Sequence, residues 1–165
     1  MSTFVSVGTS REPFRRLLEE VERLAAAGEI PGPVIVQSGH TPFESRACVV
    51  IPFLGMDEFE EEIRRAALII CQAGGGTVIL ARLHGKLSVV VPRLPEFGEV
   101  IDSHQVANAR ALDLAGQAVA VLDTTMLAEG ISRAMTLQAG AEGRGGESRL
   151  VAAIREDLLS WEAAR

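Results

Sequence analysis

Three glycine-bearing stretches stand where apolar runs give way to loops: "VGTS" at 7–10, "QSGHT" at 37–41 and "CQAGGGT" at 71–77. A glycine at such a point lets an anion approach the backbone, and a helix opening directly behind it turns its first N–H groups toward that anion. Gly74, Gly75 and Gly76 are the strongest signal, since each glycine weakens a helix by roughly 1 kcal/mol relative to alanine. Thr77 adds a hydroxyl to the first turn. Gly8 with Thr9, and Gly39 with His40, repeat the device more briefly. The chemistry suggested is the holding of an anion such as the diphosphate of a nucleotide; the alternative is a tight strand-to-helix turn with no ligand. Neither G-x-G-x-x-G nor G-x-x-x-x-G-K-[ST] occurs, which counts against nicotinamide-dependent hydride transfer and ATP hydrolysis.

A second group follows the run "LSVVVPR". Arg93 closes a strand beside the same crevice, where it either neutralises phosphate or forms a surface ion pair. His104 and Gln105 open "HQVANARAL". Gln105 fits a capping box with Asp102, or its amide grips a polyhydroxyl ligand, and Asn108 lies one turn beyond His104. His84 beside Gly85 reads as a helix-end residue. The three histidines lack metal-ligand spacing, so no metal site and no cofactor are expected.

These residues need a scaffold that gathers loops. Strands are expected at 3–7, 33–37, 47–51, 67–71, 87–91 and 118–122, each apolar on both faces as in a sheet covered on both sides. Helical stripes lie between them: Phe14, Leu17, Leu18, Val21 and Leu24, then Phe59, Ile63 and Ala66. A short helix is expected over 77–84, another after Asp102 and a third after Asp123 with Leu127, Ile131 and Ala134 on one face. The pattern predicts an α/β, Rossmann-like, doubly wound and mostly parallel sheet of about six strands. Ligands of such sheets bind beyond the carboxyl ends of the strands, where all the loops named above fall. Residues 1–138 form the expected domain and "AGAEGRGGE" at 139–147 a flexible linker. Leu150, Ile154, Leu158 and Trp161 mark an amphipathic helix over 148–165, which folds back or docks on a partner.

The totals set limits. The chain of 165 residues is 47% hydrophobic and carries a net charge of -6, which suits one globular domain and argues against nucleic acid as a partner. Cys48 and Cys71 sit in apolar runs and read as buried, reduced thiols of a cytoplasmic protein. No signal peptide is legible, and no apolar run reaches the roughly 18 residues that span a bilayer.

The segments "TFVSVGTS", "VIVQSGHT", "AALIICQAGGGTVI", "GKLSVVVPR" and "FGEVIDSHQVANARAL" resemble, in order and spacing, the C-terminal donor-binding half of family 28 glycosyltransferases. The likeness covers roughly residues 3–135. It is closest to the stand-alone catalytic subunits of bacterial exopolysaccharide synthesis. These are similar to the soluble subunit of the eukaryotic two-subunit enzyme that adds the second N-acetylglucosamine to dolichol-linked sugar. The resemblance implies a GT-B half-fold and a UDP-sugar donor site at Gly8, Thr9, Gly74 to Thr77 and the Gln105 region. It also implies inverting transfer to a polyprenyl-diphosphate-linked saccharide. A membrane-associated acceptor-domain subunit would complete the enzyme as a heterodimer and hold this chain at the inner face of the plasma membrane. Without that partner, an uncovered apolar face is compatible with a homodimer.

Three departures from the family involve four positions. Gln72 stands where histidine is frequent, Leu80 where many members grip the ribose with an acid, and Val100 and Ser103 replace a histidine and an acid of "EHVDDHQ". The exopolysaccharide branch tends to be apolar at the Leu80 position. No residue stands out as the general base, which is therefore expected from the partner. The alternative is a non-catalytic or regulatory UDP-sugar-binding protein.

Overall fold

The computed structural model describes residues 1–142. Six strands form one sheet: β1 (Ser2–Ser6), β2 (Val34–Gln37), β3 (Val49–Ile51), β4 (Ala66–Gln72), β5 (Ser88–Val91) and β6 (Ala118–Ala120). Their spatial order is β3-β2-β1-β4-β5-β6, and every neighbouring pair is parallel. The Rossmann-like, doubly wound expectation therefore holds, and each expected strand is present within a few residues.

Among the described residues five α-helices cover the sheet: α1 (Arg15–Ala26), α2 (Met56–Arg65), α3 (Gly75–Leu83), α4 (His104–Leu114) and α5 (Leu127–Glu142). Alternation along the strands decides which helix meets which face. Val5, Leu68, Ile70, Val89 and Val91 point toward α1 and α5, where Leu17, Leu18, Val21, Leu24, Leu127 and Ile131 meet them. Their neighbours in sequence point the other way. Phe4 and Ile69 meet Ile63 of α2 and Ala81 of α3, while Cys71 and Val90 meet Val78 and Ala109. Phe4 and Phe59 stack edge to face with ring centres 5.1 Å apart. Both cysteines are free thiols; burial pushes Cys71 up to about 12 and raises Cys48 as well.

Two helix boundaries change the reading of the glycine loop and of the linker. α3 begins at Gly75, so two of the three glycines belong to its first turn. α5 runs to Glu142, so residues 139–142 are helical and not linker. Alanine and glutamate are good helix formers, and one glycine among them lowers propensity without ending a helix that already packs on the sheet. The rest of the expected linker and the helix at 148–165 lie outside the described residues.

Asp113 ties three elements together at the β6 edge. Its carboxylate accepts from the Ala120 N–H at 3.0 Å and from both terminal nitrogens of Arg133 at 2.9 and 2.6 Å. The Arg133 guanidinium holds Asp113 below the usual carboxylate range.

Close packing of α5 on the sheet centres on Gly130. A Cβ placed there would lie 2.2 Å from Val121 Cγ2. Gly130→Val should cost about 1–3 kcal/mol through overpacking, read as a lower urea midpoint with an unchanged slope. An unchanged midpoint would show that α5 does not pack this tightly.

Candidate functional site

The sheet order reverses between β1 and β4, and a crevice opens at the carboxyl ends of strands where this happens. A cavity of about 380 Å³ lies there. Ser6, Gly8 and Thr9 reach it from β1 and its loop, Gln37 from β2, and Gln72, Gly74, Gly76 and Thr77 from β4 and the start of α3. Phe53, Leu54, Met56, Phe59 and Leu80 give it an apolar wall. None of these residues is titratable.

Local geometry explains the polar end. Gln37 is buried and fully engaged. Its Oε1 accepts from the Ser6 hydroxyl at 2.7 Å, and its Nε2 donates to Pro52 O at 3.1 Å and Gly8 O at 3.4 Å. Gly8 has φ +75°, and a Cβ there would stand 1.9 Å from Gln72 Nε2. Gly39 has φ +57°, and its Cβ would meet Gly8 O at 2.3 Å. These two glycines are thus required by the protein itself. Gly75 and Gly76 are different. Neither has positive φ, and a Cβ on either meets nothing within 4 Å. Gly75 and Gly76 are not crowded by protein; they leave open the approach to a helix start that no side chain caps.

Arg93 corrects the sequence reading most sharply. It is fully buried, with 0% exposure, and does not reach the cavity. Nε donates to Gln72 Oε1 at 2.7 Å, Nη1 to Glu12 O at 2.7 Å and Glu99 O at 3.1 Å, and Nη2 to Val7 O at 2.8 Å. The guanidinium also lies 4.8 Å from the centre of the Phe14 ring. Burial pushes Arg93 below the ordinary arginine range, with Glu99 and Glu12 opposing. It is therefore neither a surface ion pair nor a phosphate contact. Position at a strand end reveals that a side chain is near the crevice, but not whether it points out or back beneath the loops.

The other expected residues divide. Gly8, Thr9, Gly74, Gly76 and Thr77 line the cavity, and Gly75 lies between two that do. Gly39 and His40 border a separate depression; the His40 ring packs edge-on to Phe53, centres 5.0 Å apart. Gln105 is no capping-box partner. Its Oε1 accepts from the Arg93 N–H at 2.9 Å, and the His104 N–H donates instead to Asp102 Oδ1 at 3.0 Å. His104 is 90% exposed and pairs with Asp102 at 2.6 Å. Asn108 donates to Ala73 O at 2.6 Å, and so braces the strand-to-helix turn. Gln105 and Asn108 support the site from behind. His84 ends α3 and pairs with Glu60 at 2.9 Å. Ser6, Gln37 and, apart from Leu80 at the family's ribose position, the residues of the apolar wall were not anticipated as site residues. Their alternation and polarity look like any strand end or half-buried helix face.

Residues 2–141 match the model of the glycosyltransferase family 28 C-terminal domain. The chain belongs to this family. Its curated relatives include UDP-N-acetylglucosamine–N-acetylmuramyl-(pentapeptide) pyrophosphoryl-undecaprenol N-acetylglucosamine transferases. That of Rhodospirillum rubrum is 31% identical over 51% of this chain and 21% of its own length. That of Myxococcus xanthus is 28% identical over 67% of this chain and 30% of its own. The aligned part thus spans less than a third of either relative. Among solved structures, the glycotransferase of kitacinnamycin superposes with a TM-score of 0.62 at 16% identity, covering 94% of this chain and 43% of that one. At that identity the likeness shows the fold.

For this family 28 domain, the two kinds of glycine should respond oppositely to a methyl group. Gly8→Ala should destabilise by about 1–2 kcal/mol from the left-handed backbone alone, with displacement of Gln72 adding to the loss. Gly75→Ala should be neutral or mildly stabilising. Thermal unfolding of both variants checks this, and equal losses would contradict the distinction.

Proposed function

We propose that this chain is the donor-binding subunit of a split, inverting glycosyltransferase. It would move a sugar from a UDP-sugar to a polyprenyl-diphosphate-linked saccharide in cell-surface polysaccharide synthesis. The observation that carries this reading is the cavity that joins both glycine loops at the switch point of a family 28 domain. Its two ends suit the two ends of a nucleotide. The wall of Phe53, Leu54, Met56, Phe59 and Leu80 offers a flat, apolar surface to a base and sugar ring. Gly74, Gly76, Thr77 and the amides of α3 offer hydrogen-bond donors to a diphosphate. In that pose the start of α3 stabilises the negative charge that grows on departing UDP.

An inverting transfer also needs a base for the acceptor hydroxyl, and no lining residue can serve. The proposed source is a membrane-associated subunit carrying the acceptor half. No helix among the described residues is long and apolar enough to cross a membrane. Recruitment to the inner face of the membrane would then fall to the partner. The names of the Rhodospirillum and Myxococcus relatives, which specify a pyrophosphoryl-undecaprenol acceptor, support a lipid-linked acceptor here.

UDP, UDP-glucose or UDP-N-acetylglucosamine should raise the unfolding temperature, whereas NAD should not. At a hundredfold excess over Kd the expected gain is about 2.7 kcal/mol. Gly76→Val fills the cavity where the protein itself leaves room, and should abolish the shift without lowering the ligand-free midpoint. Sugar transfer should appear only when an acceptor-domain subunit and membranes are added. Transfer by this chain alone would refute the split arrangement, and a binding subunit that never supports transfer would favour the regulatory alternative.

A further inference from the structure

Gln72 lies on the cavity wall between the two glycine loops, and the chemistry of its neighbours settles which way its amide faces. Arg93 Nε can only donate, so the atom 2.7 Å from it must be the Gln72 carbonyl oxygen. Gln105 reinforces the choice. Its own oxygen is taken by the Arg93 N–H at 2.9 Å, which leaves its NH₂ to face Gln72 Oε1 at 3.4 Å. The Gln72 NH₂ group is consequently turned toward Gly8 and Gly74, 1.9 and 3.3 Å from where their Cβ atoms would be. It donates to no acceptor among the described residues. Gln37, the other amide on the wall, has its donor and acceptor atoms both engaged by protein.

We infer that Arg93 is a positioning residue: through its bond to Gln72 Oε1 it fixes the Gln72 NH₂ as a donor to an anionic oxygen of the ligand's diphosphate. The inference deepens the donor-site reading above and rests on it. Arg93 does not touch the ligand. Its charge acts through the amide, whose dipole runs from the buried guanidinium to the cavity. A neutral donor of this kind keeps its character at every pH at which the protein is folded. A freely rotating glutamine would instead present oxygen to the anion about as readily as nitrogen. Gly8 completes the arrangement, because any side chain there would occupy the place of the NH₂ group.

The test compares UDP with uridine, which shares the base and ribose but has no phosphate, by NMR titration of the full chain. Gln72→Glu keeps an oxygen for Arg93 Nε but turns a second carboxylate oxygen on the ligand. It should weaken UDP about tenfold or more, the loss expected for a hydrogen bond to a charged group, while uridine changes less than about twofold. Arg93→Lys keeps the charge without the fork and should weaken UDP with the same selectivity. In a Gln72→Ala background it should add less than about a further twofold, because it acts through Gln72. Should Arg93→Lys fail to fold, the Gln72 variants decide. Equal weakening of UDP and uridine, or unchanged UDP binding by Gln72→Glu, would overturn the inference and leave the donor site standing. Wild-type protein that binds neither ligand would overturn both.

Discussion

A guanidinium with no exposed surface is the constraint around which the loop end of this domain is organised. Moving such a charge out of water costs several kcal/mol unless hydrogen bonds replace the lost hydration. Arg93 meets that demand with Val7 O, Glu12 O, Glu99 O and Gln72 Oε1, and with the face of Phe14. Those partners come from the loop after β1, the approach to α1, the loop after β5 and the end of β4. One side chain therefore ties together four segments that would otherwise meet only at their strands. Arg16 extends the network from α1. It grips Glu99 through two nitrogens at 3.0 and 2.9 Å and Pro92 O at 3.1 Å, while Glu99 also accepts from the Leu94 N–H at 2.9 Å. Binding loops need such support if they are to hold a fixed shape before a ligand arrives.

The same network explains why the cavity carries no charged wall. Arg93, bonded to Gln72 on the cavity wall, is buried beneath it, and the cavity is left with amides, hydroxyls, glycine backbone and apolar side chains. A site of this kind addresses an anion through oriented dipoles. Its affinity then depends on direction, and direction depends on the packing behind it. That is how Asn108 and Gln105, which bond to Ala73 O and the Arg93 N–H, belong to the site without lining it.

The fold was legible in the chain because its signals are local and repeated. Six β-branched runs, each apolar on successive residues, can be satisfied only by a sheet covered on both faces, and helical stripes between them supply the cover. The location of the cavity was legible for a related reason, since loops at the carboxyl ends of parallel strands must converge. What each residue does there was less so. "VVVPR" shows that an arginine stands at a strand end, but its direction is decided by Val7, Glu12, Phe14 and Gln72, which are distant in sequence. Gly8 looked weaker than the triple glycine, yet it carries positive φ and faces Gln72, whereas Gly75 and Gly76 meet only open space. Spacing cannot separate a glycine demanded by the protein from one that leaves room for something else.

That difference bears on how much of an enzyme this domain represents. Glycines demanded by the protein stabilise a shape, and Gly8 and Gly39 do so here. Open ones at the lip of a cavity are destabilising to the helix they begin, and nothing in the fold of residues 1–142 compensates for them. Phe53 and Met56, on the opposite lip, are 49% and 75% exposed, although large apolar side chains favour burial. Both lips thus carry features that the isolated domain does not use. A nucleotide in the proposed pose would cover the glycine lip and, with its base and sugar ring, part of the apolar one, and what it leaves in water gains from a surface that closes over it. The family model describes a C-terminal domain, and the Rhodospirillum and Myxococcus relatives extend well beyond the aligned segment. A cavity with a finished floor and two unfinished lips is what half of a cleft should look like, and under the proposed split arrangement the general base would stand on the surface that closes it.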